Sequence, residues 1–275
     1  MFREEIRKKY YKIYGNEFLR ACTRPLNRSI RVNTLLTNKK EVESRLKKQR
    51  FELKKGLVDN SFEIKRERFS IGSSIEHLSG MFFIQESTSM IPPIWLDPKP
   101  TDTVLDAFAS PGGKTTHLAA LMKNKGSIIA IDSDKRKHKA MVQNLDRMNV
   151  TNTTFIEMNA KNTESLGIKF DKILMDAPCT GSGIIYKDKG IMEKLNISLI
   201  ESYASKQKEL ITKITPTLKK GGMLAYSTCS VNPEENQRVT DYAINKLRFK
   251  LIKEKQYLPH IDNTPGFYVS LLKKL

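Results

Sequence analysis

Asp106-Ala107-Phe108-Ala109-Ser110-Pro111-Gly112-Gly113-Lys114-Thr115 is the stretch that decides the fold. Thr103 to Phe108 reads as a buried strand and residues 114–123 as a helix, so the glycines fall at a strand-to-helix turn. Paired glycines there let the backbone approach a ligand, and the helix N-terminus attracts an anion. The pattern is neither GxxxxGK[ST] nor GxGxxG; this excludes a P-loop and disfavours a dinucleotide site. Ile128-Ile129-Ala130-Ile131-Asp132 follows as a strand ending in an acid. An Asp at that place can accept both ribose hydroxyls of an adenosine cofactor. It can equally be a plain helix N-cap, because Asp132-Ser133-Asp134 precedes a helical stretch over 135–148. The glycine turn before it favours the ribose.

Working outward, strands are expected at Thr154–Glu157, Lys172–Asp176, Gly222–Thr228 and Phe267–Leu272, with helices over Leu199–Leu218 and Glu234–Lys246. Strands alternating with helices imply a doubly wound, mostly parallel sheet. Toward the N-terminus, residues 1–21 carry Ile6, Tyr10, Ile13, Tyr14 and Phe18 at helical spacing. Ile30–Leu35 and Gly80–Gln85 read as strands, Lys39–Gln49 as a helix, and Phe51–Leu53 and Phe62–Ile64 as short strands. The expected organisation is a small basic α+β domain over 1–80 and a larger α/β domain over 81–275.

Two further segments carry chemistry. Asp176-Ala177-Pro178-Cys179-Thr180-Gly181-Ser182-Gly183 ends one strand and runs into a glycine-rich loop. Ser227-Thr228-Cys229-Ser230, followed by Pro233-Glu234-Glu235-Asn236, ends the next. Loops at the carboxyl edge of a parallel sheet are where ligands bind. A lone strand-end cysteine is usually filler; two of three at consecutive strand ends point to working thiols. Cys22, Cys179 and Cys229 form no CxxC pair, so neither a disulfide framework nor a zinc site is expected and no metal is implied. The compartment should be reducing, hence cytoplasmic.

The 275 residues include 48 Lys and Arg against 30 Asp and Glu, a net charge of +18. Residues 1–50 hold 15 basic and 5 acidic side chains, whereas residues 51–200 are nearly balanced at 20 to 18. Charge concentrated at one end favours a polyanionic partner such as a nucleic acid. The bland reading is a solvated charged face. The longest uncharged stretch, Gly221 to Pro233, is far short of the about 20 apolar residues a membrane span needs. No apolar run follows the charged N-terminus, so no secretory signal is expected.

Taken together, ASPGGKTTHLA, DAPCTGSG, and STCS followed by PEEN resemble the Nop/Sun (NSUN) family of RNA 5-methylcytosine methyltransferases. Arg31-Val32-Asn33-Thr34, Phe83-Ile84-Gln85-Glu86 and Gly266-Phe267-Tyr268-Val269 match further family blocks. The likeness covers about residues 30–272 and is nearest to the compact archaeal tRNA enzymes. It implies a Rossmann-like fold and S-adenosyl-L-methionine (SAM) as cofactor. It assigns cofactor contacts to Phe108, Ala109, Ser110, Pro111, Gly112, Gly113, Lys114, Asp132, Lys137, Asn159 and Asp176. Asn159 stands where many members have Asp, and Phe108-Ala109-Ser110 replaces the common Cys-Ala-Ala.

In the family the Thr-Cys thiol, here Cys229, adds to cytosine C6, and the Pro-Cys thiol, here Cys179, helps release product. Asp176 would hold the base edge and Lys114 would lie near the reacting centre. DNA cytosine methyltransferases use the Pro-Cys thiol as nucleophile, so the residues alone leave Cys179 open for that role; the resemblance decides for Cys229. Arg24, Arg28 and Arg31 are the candidates for RNA backbone contacts. The four histidines match no catalytic block. The rival readings are an rRNA enzyme, a base amino-methyltransferase, and a catalytically idle SAM-binding RNA assembly factor. Asp176-Ala177-Pro178-Cys179 argues against the amino-methyltransferase, since a thiol stands where that class has a stacking ring. A partner protein for target choice would fit a small N-terminal domain.

Overall fold

A computed structural model describes residues 2–275. Down the chain come α1 (Glu4–Ala21), β1 (Ser29–Val32), α2 (Lys39–Lys48), β2 (Glu52–Lys55) and β3 (Ser61–Arg66). Then follow α3 (Ile75–Leu78), β4 (Phe82–Ile84), α4 (Ile91–Leu96), β5 (Thr103–Asp106) and α5 (Gly113–Leu121). Next are β6 (Ser127–Asp132), α6 (His138–Arg147), β7 (Thr153–Glu157), β8 (Phe170–Asp176), α7 (Gly190–Lys194) and α8 (Ile197–Ile214). The chain ends with β9 (Leu218–Thr228), α9 (Gln237–Leu247), β10 (Phe249–Tyr257), α10 (Pro259–Asp262) and β11 (Phe267–Lys274).

Two sheets form, one in the order β2-β3-β1-β4 and one in the order β10-β11-β9-β8-β5-β6-β7. In the larger, β5 pairs in parallel with β6 and β8, and β6 with β7. The expected doubly wound, mostly parallel fold is therefore present, with antiparallel β10 and β11 added beside β9. β5 and β6 bury near-continuous apolar runs, as strands covered on both faces must.

The chain divides into two compact units. One comprises Asn27–Ala160 with Phe170–Leu174 and contains the smaller sheet. Its core gathers Ile30, Val32, Val42, Leu46, Phe62, Ile71 and Phe82. The other comprises the N-terminal segment to Leu26, Lys161–Lys169 and Met175–Leu275.

These units divide the chain differently from the expected 1–80 domain. The smaller sheet closes only with β4 at residues 82–84, paired to β1. Helix α1 is no part of that sheet's core. Its apolar stripe, Ile6, Tyr10 and Phe18, packs with Leu195, Ile200, Val231 and Leu258 of its own unit. Helical spacing revealed that stripe but carried no information about which core would take it.

Candidate active site

The glycine turn lies in the Asn27–Ala160 unit. Ala107 N–H donates to Leu174 O at 3.0 Å and Ala109 N–H to Ile131 O at 3.0 Å, so the loop leaving β5 is held by both flanking strands. Gly112 has φ +100°, and a Cβ there would lie 3.1 Å from Met141 Sδ. Side chains rarely adopt that backbone, so the turn needs glycine. A Cβ on Gly113 would lie 3.3 Å from the Phe83 ring.

Asp132 closes this group. Its Oδ2 accepts Ser110 N–H at 3.0 Å and its Oδ1 accepts Asp134 N–H at 2.8 Å. The helix N-cap is Asp134, whose side chain accepts Arg136 N–H, and not Asp132, whose carboxylate retains lone pairs for hydroxyl donors. Ser110 Oγ is buried without a protein partner. These features fit an adenosine cofactor. Lys114 Nζ reaches Ser89 Oγ at 2.6 Å. Lys137 is exposed and paired with Asp134 at 3.5 Å, while Asn159 is exposed just beyond β7. Phe108 is half-buried and Pro111 exposed.

Arg31 is not at the surface. It is 2% exposed, inside the smaller sheet. Its Nη1 donates to Gln85 Oε1 at 2.8 Å and Gly113 O at 2.5 Å, and its Nη2 donates to Thr116 Oγ1 at 2.8 Å. The guanidinium also lies 5.6 Å from the Phe83 ring centroid. Burial and neighbouring Arg147 press its pKa down, yet a guanidinium stays charged in proteins. It braces the first turn of α5, and burial, including that of its unpartnered Nε, closes it off from a phosphate. Arg24 and Arg28 are exposed as expected; Arg28 makes a surface pair with Glu67 at 3.5 Å.

The thiols lie in the other unit. Cys179 Sγ and Cys229 Sγ are 3.1 Å apart, and both are free thiols. The hydrogen bond with Cys229, burial and the charge of Glu235 hold the Cys179 thiol well above the ordinary range. Ser227 Oγ donates to Asp176 Oδ1 at 2.6 Å, aligning the acid with the end of β9. Gly183 N–H donates to Cys229 O at 2.9 Å, and Gly266 N–H to Gly183 O at 2.9 Å.

Sequence reasoning passed over what lies behind the sulfurs. Glu235 is fully buried, and so are Ser182, Ser230 and Asn232. Glu235 accepts from Thr180 N–H at 2.8 Å, Thr180 Oγ1 at 2.6 Å, Ser230 Oγ at 2.5 Å and Asn232 Nδ2 at 2.9 Å. Tyr10 of α1 donates to Asn232 Oδ1 at 3.1 Å. The sequence signal for this cluster is the Pro233-Glu234-Glu235-Asn236 block. Among the described residues no cluster of His, Cys, Asp and Glu could hold a metal ion.

A parallel α/β sheet with a glycine turn, a strand-end acid and paired thiols defines a methyltransferase class. The family described as 16S rRNA methyltransferase RsmB/F matches residues 93–273, and the N-terminal domain of 16S rRNA methyltransferase RsmF matches residues 2–87. The chain is 37% identical over 262 residues to a tRNA (cytosine(49)-C(5))-methyltransferase of Pyrococcus abyssi, covering 92% of this chain and 83% of that one. It is 34% identical to ribosomal RNA small subunit methyltransferase F of Aliivibrio fischeri, covering 94% of this chain but 60% of that one. The crystal structure of NSun6 from Pyrococcus horikoshii with SFG superposes with a TM-score of 0.93 at 26% identity, covering 99% and 98% of the two chains. This chain belongs to the RsmB/F (Nop/Sun) family of SAM-dependent RNA cytosine-C5 methyltransferases.

Proposed function

We propose that the chain methylates C5 of a cytosine in tRNA, with Cys229 as nucleophile and Cys179 as the thiol that releases product. The pair of sulfurs at 3.1 Å carries this reading. Cytosine C5 is a weak nucleophile, and a thiolate bonded at C6 makes it enamine-like. The residues alone leave both thiols open for that role, and the family likeness favours Cys229 over Cys179, whose thiol is pushed up by its hydrogen bond with Cys229 and by burial. After methyl transfer, loss of the C5 proton to a base expels the thiolate from C6, and Cys179, 3.1 Å from that sulfur, can give it a proton as it leaves. Asp176, fixed by Ser227, would hold the edge of the base.

The cofactor would be SAM, supplying an electrophilic methyl group when bound. Phe108 to Lys114, Asp132, Lys137, Asn159 and Asp176 would hold it. The unpartnered Ser110 hydroxyl and the glycine turn support that placement. The target cytosine must leave its stack, as single-stranded loops allow. Exposed Arg24 and Arg28 would contact the backbone. A reducing compartment, the cytoplasm, suits two unbridged neighbouring thiols.

The likeness to a tRNA enzyme over 83% of its length, against 60% for the rRNA enzyme, favours tRNA. Labelled SAM offered to total tRNA and to rRNA, with nucleoside analysis, tests this. 5-Methylcytosine in tRNA is the expected result; label confined to rRNA would overturn the substrate, and label in neither would favour an idle assembly factor. Cys229→Ala should lower turnover by about 1000-fold or more. Cys179→Ala should accumulate a covalent RNA adduct on a denaturing gel. A turning-over Cys229→Ala protein would refute the assignment.

A further inference from the structure

We propose that Glu235 is the positioning residue of the two-thiol site, one buried carboxylate that tethers both cysteine-bearing segments and so sets the separation of the sulfurs. The proposal concerns the same site as the reading above, but its geometry stands apart from any substrate.

The two thiols come from segments 50 residues apart in sequence, and neither is covalently fixed. Each is followed directly by a residue that donates to Glu235. Thr180, after Cys179, gives its N–H to Oε1 and its hydroxyl to Oε2. Ser230, after Cys229, gives its hydroxyl to Oε2. Gln207 Nε2 adds a bond to Oε1 at 3.3 Å and also holds Pro178 O at 2.9 Å, just before Cys179. Asn232 Nδ2 completes the shell on Oε2. A carboxylate has about four lone-pair sites, so these donors saturate it.

Glu235 is 0% exposed, and its donors from Thr180, Gln207, Ser230 and Asn232 are all neutral. Charge-assisted hydrogen bonds are shorter and roughly twice as strong as neutral ones, which makes this a stiff junction. An amide would put an N–H₂ against donors on one side and break the junction there. The negative charge also opposes ionisation of Cys179. Glu235 therefore acts through the residues that follow each thiol, on the distance between the sulfurs. Its hydrogen bonds go to the neighbours of the thiols and not to the sulfurs, so it is a positioning residue.

The test uses the full chain without RNA or SAM, so its outcome is independent of the methylation reading. Diamide takes two electrons and two protons from a pair of thiols, forming one S–S bond and a hydrazine. The rate of Cys179–Cys229 crosslinking, read by mass spectrometry, is a ruler for the sulfur separation. Cys22, buried in the contact between α1 and its own unit, reports folding by its resistance to alkylation. Glu235→Gln should crosslink at least about 10-fold more slowly with Cys22 still protected, and Cys179 alkylation should begin at lower pH. Wild-type crosslinking with Cys22 protected would overturn the proposal. If Glu235→Gln exposes Cys22, the Thr180→Val/Ser230→Ala pair replaces it, removing hydroxyl tethers while keeping the charge. Slower crosslinking with Cys22 protected then supports the proposal. An unchanged rate, or exposure of Cys22 there too, counts against it, since the contacts would then be a folding requirement only.

Discussion

Arg31 shows how one side chain can mislead a reading from sequence. It lies in the most basic stretch of the chain, yet it is spent on Gln85, Gly113 and Thr116. Arg31→Met should cost about 2–4 kcal/mol, because buried acceptors are left unpaired. It should leave the salt dependence of RNA binding unchanged. Arg24→Ala and Arg28→Ala should do the reverse, each lowering the log–log salt slope by about 0.7 on single-stranded RNA. A filter-binding salt series on the three variants separates the two roles. Gly183 is a second residue with a hidden duty. A Cβ there would lie 1.8 Å from Gly266 O and 2.9 Å from Cys229 O, both backbone atoms that cannot swing aside. Gly183→Ala should therefore destabilise by about 1–3 kcal/mol and shift the Cys229 carbonyl. The melting temperature and turnover should fall together; normal values of both would mean the loop relaxes freely. Neither duty is legible in sequence. Composition registers a charge or a glycine, whereas burial and close approach arise only when distant segments meet.

At the scale of elements, the strands of both sheets are readable in the sequence except β10. β5, β6 and β8 announce themselves because a strand covered on both faces is an apolar run. β10 carries Lys250, Lys253, Glu254 and Lys255 at mostly exposed positions, so it shows no long apolar run. It is a strand because β11 offers it a partner. The helix expected to reach Leu218 ends at Ile214, and Pro216 marks the break before β9. Helix α1 is the element whose role changed most. Tyr10 bonds Asn232, Tyr14 bonds Val231 O, and Lys9 pairs with Glu234 at 2.7 Å, all in the loop that follows Cys229. Tyr10→Phe with Tyr14→Phe should cost about 2–4 kcal/mol through unpaired buried acceptors. Methyl transfer should drop with it. SAM affinity by calorimetry should hold, since the proposed SAM contacts lie on other segments. A parallel loss of SAM affinity would mean that α1 supports the whole molecule and not this loop.

The molecule as a whole carries two opposing responses to alkali. Its net charge of +18 is self-repelling, and lysine deprotonation near pH 10 would relieve that repulsion and stabilise the fold. Against this stand Tyr10, Tyr14, Tyr226 and Tyr268, whose phenols are pushed up chiefly by burial, and Cys22, pushed up to about 11 for the same reason. An acid whose folded pKa is raised keeps its proton in the fold while the unfolded chain releases it. Above the ordinary tyrosine value of 10.0 the folded state therefore binds more protons, and stability must fall as pH rises. Each proton so withheld steepens the fall by about 1.4 kcal/mol per pH unit. Surface lysine repulsion is diffuse and screened by salt, so the buried phenols should win. The melting temperature should stay level from about pH 7 to 8.5 and decline beyond about pH 9.5, more sharply in high salt, where charge relief counts for less. Tyr268→Phe removes one withheld proton and should make the decline shallower. A melting temperature that climbs through the same range would show charge relief to be the larger effect, and the phenols to be wetter than their packing implies.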